Sequence, residues 1–112
     1  MIGEPFDMLI KPPVLIPPMI ENLTHITNNM VQDCPEEKEA LIQFLKYITS
    51  DNTILVAHNA PFDMAVLGKC LRDYGIEWKC YAKYACTCAI GRKALPSLPN
   101  HKLNTLCSYL GI

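Results

Sequence analysis

The stretch Thr53-Ile54-Leu55-Val56-Ala57-His58-Asn59-Ala60-Pro61-Phe62-Asp63-Met64-Ala65-Val66-Leu67 decides the fold class. Its first five residues form a β-branched and apolar run of the kind found in strands covered on both faces in a parallel sheet, so a buried central strand is expected there. His58-Asn59-Ala60 turns the chain. A helix then runs from Pro61 to Tyr74, with Phe62, Ala65, Val66, Cys70 and Leu71 expected on one face and Gly75 placed to end it. Strand, turn and helix in this order point to an α/β fold with a mixed or parallel sheet.

Outward from this unit, Ser50-Asp51-Asn52 breaks a preceding helix that Asp33 or Cys34 can cap and Pro35 can open. Glu36 and Glu37 sit in its first turn, where the dipole favours acid, and Leu41, Phe44, Leu45 and Ile48 make its apolar stripe. Earlier still, Val14 to Thr27 is punctuated by proline and reads as irregular, with one short helix around Met19 to Leu23. Phe6-Asp7-Met8-Leu9-Ile10 suits a short strand stopped by Lys11-Pro12-Pro13. Downstream, a strand is expected within Ile76 to Tyr84, a helix over Thr87 to Ala94 and a turn at Pro96 to Pro99. A last helix is capped by Asn100, carries Leu103, Leu106, Cys107 and Leu110 on one face, and is ended by Gly111.

At 112 residues, with 50% hydrophobic and 19% charged, the chain has the composition of one globular domain spanning residues 1–112. The formal net charge of -1 excludes a polybasic protein that holds nucleic acid by bulk charge alone. Charge is unevenly spread: residues 1–67 hold three basic and nine acidic residues, residues 68–112 seven basic and two acidic. That asymmetry reads first as a solvated face and second as a mildly basic phosphate-contacting half. Six cysteines without a secretory leader imply free thiols and a cytoplasmic protein. Cys80, Cys86, Cys88, Cys107 and His101 contain no C-x-x-C pair and match no common zinc spacing, which leaves a small metal module as the weakest reading. Prolines 12, 13, 17 and 18 cut the most apolar segment well short of the ~18 residues of a membrane span, so no membrane association is expected.

His58 to Asp63 lies just past the carboxyl end of the central strand, where open α/β sheets gather ligands. Taken singly, Asp63 is a first-turn acid that stabilises its own helix, and His58 and Asn59 are turn and capping residues. As a whole, H-N-x-x-F-D followed by Met64-Ala65-Val66-Leu67 resembles the second motif of the DEDDh 3′-5′ exonucleases, the proofreading nucleases of the DNA polymerase III epsilon type and of Gram-positive replicative polymerases. Leu9-Ile10-Lys11-Pro12 and Leu23-Thr24-His25-Ile26-Thr27 are similar to that family's third strand and substrate-lining loop. Leu98-Pro99-Asn100-His101-Lys102-Leu103-Asn104-Thr105-Leu106-Cys107 is similar to the helix leading into its last motif. The resemblance runs in order along essentially the whole chain.

This resemblance implies a ribonuclease-H-like exonuclease fold acting at a nucleic-acid 3′ end, DNA before RNA, with a DNA polymerase as a partner. It implies two divalent ions, Mg²⁺ or Mn²⁺, held by four carboxylates, because these ions take hard oxygen ligands. Asp63 takes the place of the second-motif carboxylate, as catalytic residue and metal ligand. Asn59 and Phe62 take the places that shape the adjoining pocket, and His25 and Ile26 match the loop packing on the terminal nucleotide. As ordinary structure, His25 is a satisfied, semi-buried histidine.

The D-x-E-T-T-G and H-R-A-x-x-D motifs of the family are not among these residues, and His101 has Leu106, not an acid, five positions on. His101 therefore reads as a loop or first-turn residue. The expectation is an incomplete fold without the family's first two strands and last helix, in which the strands at Phe6 and Thr53 are not neighbours. Such a fragment, from a disrupted gene, a misplaced start or a split protein, would be inactive alone and would need another chain to complete its sheet. The alternative is a non-catalytic, degenerate exonuclease fold serving as a nucleic-acid or polymerase binding module.

Overall fold

The computed structural model describes residues 3–48, 53–77 and 83–112. It packs as two compact units, Met1–Thr49 and Ser50–Ile112.

In the first unit, helix α1 (Pro18–Thr24) opens with proline in its first turn and ends at His25, whose N–H donates to the Glu21 carbonyl at 2.8 Å. Helix α2 (Asn28–Val31) is capped by Thr27, whose hydroxyl accepts from the Met30 N–H at 3.2 Å. Asn28 ties the preceding loop to this helix: its Oδ1 accepts from the Ile16 N–H at 2.7 Å and its Nδ2 donates to the Ile16 carbonyl at 3.0 Å. Helix α3 (Glu37–Leu45) has Glu36 at its cap position, so neither Asp33 nor Cys34 is its cap. Pro35 is instead held outside the helix by its carbonyl, which accepts from the Lys11 N–H at 2.8 Å. The rings of Phe44 and Tyr47 stand 6.3 and 4.9 Å from that of Phe6, and Val31 and Ala40 form the small core of the unit.

The strand expected over Phe6 to Ile10 does not form. A strand exists only through a ladder partner, and among the described residues this segment has none; the isolated bridge of Lys11 with Glu36 lies just past its end.

The second unit is an α/β arrangement with a small parallel sheet. Strand β1 (Ile54–Ala57) leads into helix α4 (Ala60–Asp73), which returns the chain to strand β2 (Lys83–Cys86). The strands pair in parallel, Ile54 with Lys83 through Ala57 with Cys86, and α4 packs on both. Parallel pairing requires such a crossover. Only part of the expected Ile76–Tyr84 strand lies within the described residues, and there β2 starts at Lys83 and runs on to Cys86. Helix α5 (Thr87–Ala94) follows β2 directly, and helix α6 (Leu103–Leu110) closes the chain. Gly111 stops α6 at φ 72°, a left-handed position where a side chain is disfavoured.

Two expectations fail in this unit, for related reasons. β1 is not covered on both faces: Ile54 and Val56 alternate outward, and Val56 is 62% exposed. The outward side of α4 is also open, with Phe62 66% exposed and Ala65 and Val66 exposed, while the buried side carries Ala60, Met64, Leu67 and Leu71. At 100° per residue, Phe62 and Val66 stand opposite Leu71. The helix therefore has two apolar faces, and burial on the sheet selects the one ending in Leu71, which is 1% exposed.

Candidate functional site

Because β1 and β2 are parallel, their carboxyl ends lie side by side, Ala57 against Cys86. Each strand passes into a helix within a few residues, so the N-termini of α4 and α5 open on the same edge of the sheet. Helix N-termini present free N–H groups and partial positive charge, which makes this edge receptive to anions.

The turn out of β1 is built by Asn59 at φ 63°, ψ 48°, a left-handed conformation that asparagine tolerates better than most residues. Its carbonyl accepts from the Phe62 N–H at 3.0 Å, and its side chain makes no cap hydrogen bond. Asp63 is exposed in the first turn of α4, where it complements the dipole of that helix. Asn59, Phe62 and Asp63 are thus gathered at one end of β1. His25 and Ile26 belong to the first unit, at the end of α1. His25 is exposed, not semi-buried, and takes the left-handed conformation at φ 60° to terminate the helix.

His58 is fixed from behind. The Thr87 hydroxyl donates to the Ala57 carbonyl at 3.4 Å and lies 3.0 Å from His58 Nδ1. The Thr87 hydroxyl thereby ties the His58 ring, through Nδ1, to the second junction.

Cys86, at the end of β2, lies between the two helix starts. No cap hydrogen bond to its thiol closes, yet the surrounding N–H groups hold its pKa below the ordinary thiol value. The Ala89 N–H contributes most, burial opposes it, and the N–H groups of Ala60, Asn59 and Cys88 add to the lowering.

Beside this edge is a cavity of about 390 Å³ lined by His58, Asn59, Cys88, Arg92, Asn100, His101 and Lys102. His101 Nε2 donates to the Leu95 carbonyl at 2.8 Å, and Asn100 Oδ1 accepts from the Lys102 N–H at 3.1 Å and the Thr105 hydroxyl at 2.6 Å. Asn100 therefore acts just ahead of α6, whose cap position is Lys102. His101 is a loop residue, as its sequence context indicates.

The residues of the second junction, Cys86 and Thr87, carry no sequence signal comparable with H-N-x-x-F-D. Only the parallel pairing of β2 with β1 brings them to this edge. The signal that could have found them is positional: they follow the second strand of a β-α-β unit, as His58 and Asn59 follow the first.

For a metal, the donor chemistry among the described residues is thin. No group of three or more His, Cys, Asp or Glu side chains converges, and Asp63 is a single hard oxygen donor. These residues alone do not fit a two-ion site. The five described cysteines are free thiols, and Cys80 lies outside the described residues. Among the described residues no helix is long and apolar enough to cross a membrane.

Over residues 1–112 the sequence matches the RNase_T family, described as exonuclease. Among curated relatives, the PolC-type DNA polymerase III of Oceanobacillus iheyensis is 38% identical over 111 residues, which is 99% of this chain and 8% of that protein. The PolC-type DNA polymerase III of Bacillus subtilis is 35% identical over 111 residues, with the same shares of 99% and 8%. The DNA polymerase III subunit epsilon of Aquifex aeolicus is 33% identical over 110 residues, 98% of this chain and 53% of that protein. The chain thus spans a small part of its PolC-type relatives and about half of this epsilon relative.

Proposed function

The chain belongs to the RNase_T exonuclease family, and from that premise we propose that it is part of a 3′-5′ exonuclease domain hydrolysing phosphodiesters at nucleic-acid 3′ ends. The observation that carries the reading is the position of Asp63. It is an exposed carboxylate in the first turn of the helix that follows a parallel strand, at the edge of the sheet where two helix N-termini open together. Exonucleases of this type generally use divalent metals, and Asp63 offers the oxygen ligand that Mg²⁺ or Mn²⁺ prefers. In this reading Asp63 is one of four carboxylates around two ions, and the other three lie outside these residues. Asn59 and Phe62 border that position, and His25 and Ile26 approach the terminal nucleotide. DNA is the preferred substrate, and a polymerase is the natural partner of such an activity.

One carboxylate does not position two ions, so the chain alone turns over no substrate. The decisive experiment joins it to a D-x-E-T-T-G strand pair and an H-R-A-x-x-D helix from a related exonuclease and follows Mg²⁺-dependent trimming of a labelled oligonucleotide. Asp63→Asn in that chimera is expected to cost at least about a hundredfold in rate, roughly 2.7 kcal/mol of barrier. Equal cleavage with asparagine at position 63 would show that Asp63 is only a helix-stabilising acid. A second reading, a non-catalytic nucleic-acid binding module, is favoured by the cation-lined cavity beside the same edge.

A further inference from the structure

We propose that the cavity lined by His58, Asn59, Arg92, Asn100, His101 and Lys102 docks a phosphodiester of a single nucleic-acid strand. The inference deepens the reading above and rests on it, since it names how the substrate strand is held beside the junction that carries Asp63.

No acidic side chain lines the cavity, whereas Arg92 and Lys102 bring two full positive charges to it. Neither has a carboxylate partner among the described residues, where Lys69 pairs with Asp73. Two cations facing one space repel each other, and an anion between them removes that cost. The combination suits phosphate in particular. Arginine offers a planar fork for two phosphate oxygens, and lysine adds a compact charge with rotatable donors.

The neutral donors agree. The Asn59 side chain is not used as a cap, and the Asn100 carbonyl oxygen is committed to Lys102 and Thr105, which leaves the Asn100 amide nitrogen to donate. Thr87 and Leu95 each hold one histidine ring by one nitrogen, which fixes the rings as walls of the space and not as its donors. At about 390 Å³ the space lies within the ~300–1,000 Å³ range of small-ligand sites, enough for a phosphodiester with its sugar.

The lining contains no Phe, Tyr or Trp on which a base could stack, so the contact is to backbone and carries no sequence preference. His58 and Asn59 immediately precede the helix bearing Asp63, so a strand anchored here is led past that carboxylate.

The test uses the whole chain in EDTA, which separates binding from metal and cleavage. Fluorescence anisotropy follows a 5′-labelled single-stranded oligonucleotide of about 12 nucleotides across a salt series. Losing the one phosphate contact should flatten the slope of log K against log salt by about 0.7, so the Arg92→Gln/Lys102→Gln double variant loses that much and each single variant a part of it. The double variant should also bind at least tenfold more weakly at low salt. Lys69→Gln is the control for bulk charge, because it deletes a cation already paired with Asp73, and its slope should stay at the wild-type value.

A double variant with a native circular dichroism spectrum and wild-type slope and affinity would overturn the proposal. So would a wild-type chain that binds no strand, or displacement of the strand by micromolar inorganic phosphate at matched ionic strength, which would mark a free-anion site. Failure of the exonuclease reading registers separately, as chimera cleavage insensitive to Asp63→Asn.

Discussion

Replacing Gly91 with alanine tests how closely α5 and α6 are packed at the back of the cation-lined cavity. Gly91 is buried within α5, and a Cβ at that position would stand 3.1 and 3.2 Å from the two methyl carbons of Leu106 and 3.7 Å from His101 Cδ2. Carbon atoms settle at about 3.5–4.0 Å, so Leu106 would have to retreat by several tenths of an ångström. It has little room to do so, being 7% exposed and fixed in the middle of α6. Overpacking of this kind costs about 1–3 kcal/mol, while alanine gains about 0.8–1.0 kcal/mol over glycine in a helix interior. The net expectation is a loss of about 1 kcal/mol, with bounds of roughly 0 and 2 from the same two ranges.

Gly68 supplies the internal comparison. It lies inside α4, and a Cβ there would meet only Arg72 Nη1 at 3.3 Å, the far end of a flexible side chain. Propensity then acts alone, and Gly68→Ala should stabilise by about 0.8–1.0 kcal/mol. Urea denaturation gives both values, and in a thermal melt 1 kcal/mol corresponds to about 4–8 °C in a domain of this size. The two midpoints should move in opposite directions. Equal stabilisation by both substitutions would refute the packing argument, since it would mean that Leu106 and His101 yield without cost.

Leu71→Ala removes the largest fully buried side chain of the second unit and should cost about 2–5 kcal/mol in the same denaturation experiment, and a loss below 1 kcal/mol would show that the α4–sheet contact is not its core. Cys86 should ionise at lower pH in the folded chain than in urea, because the Ala89 N–H and its neighbours favour the thiolate. Peptide mapping of iodoacetamide alkylation against pH should place the folded midpoint below the unfolded one, and coincident midpoints would contradict the geometry. By linkage, the thiolate contributes stability above the unfolded pKa, and that contribution fades as pH falls through the folded value.

What the amino-acid sequence determined alone was mostly local. The Thr87–Ala94 helix, the strand before His58 and the stops at Gly75 and Gly111 were legible because capping, β-branching and the freedom of glycine act within a few residues. The H-N-x-x-F-D junction was legible for the same reason, since its turn and first helical residues are contiguous. Tertiary structure decided whatever depends on a distant partner. The Phe6 to Ile10 segment has strand-forming residues but no ladder partner among the described residues, so its backbone stays outside a sheet. Both faces of α4 are apolar, and only contact with β1 and β2 shows that Leu71 is buried and Phe62 is not. The cation-lined cavity joins His58 to Arg92 in the last turn of α5 and to Lys102 at the cap of α6, 34 and 44 positions further along the chain, because the parallel strand pair carries the segment after β2 back to the start of α4. Chain order carries no trace of that meeting, since hydrogen bonding between strands is indifferent to the length of chain that separates them.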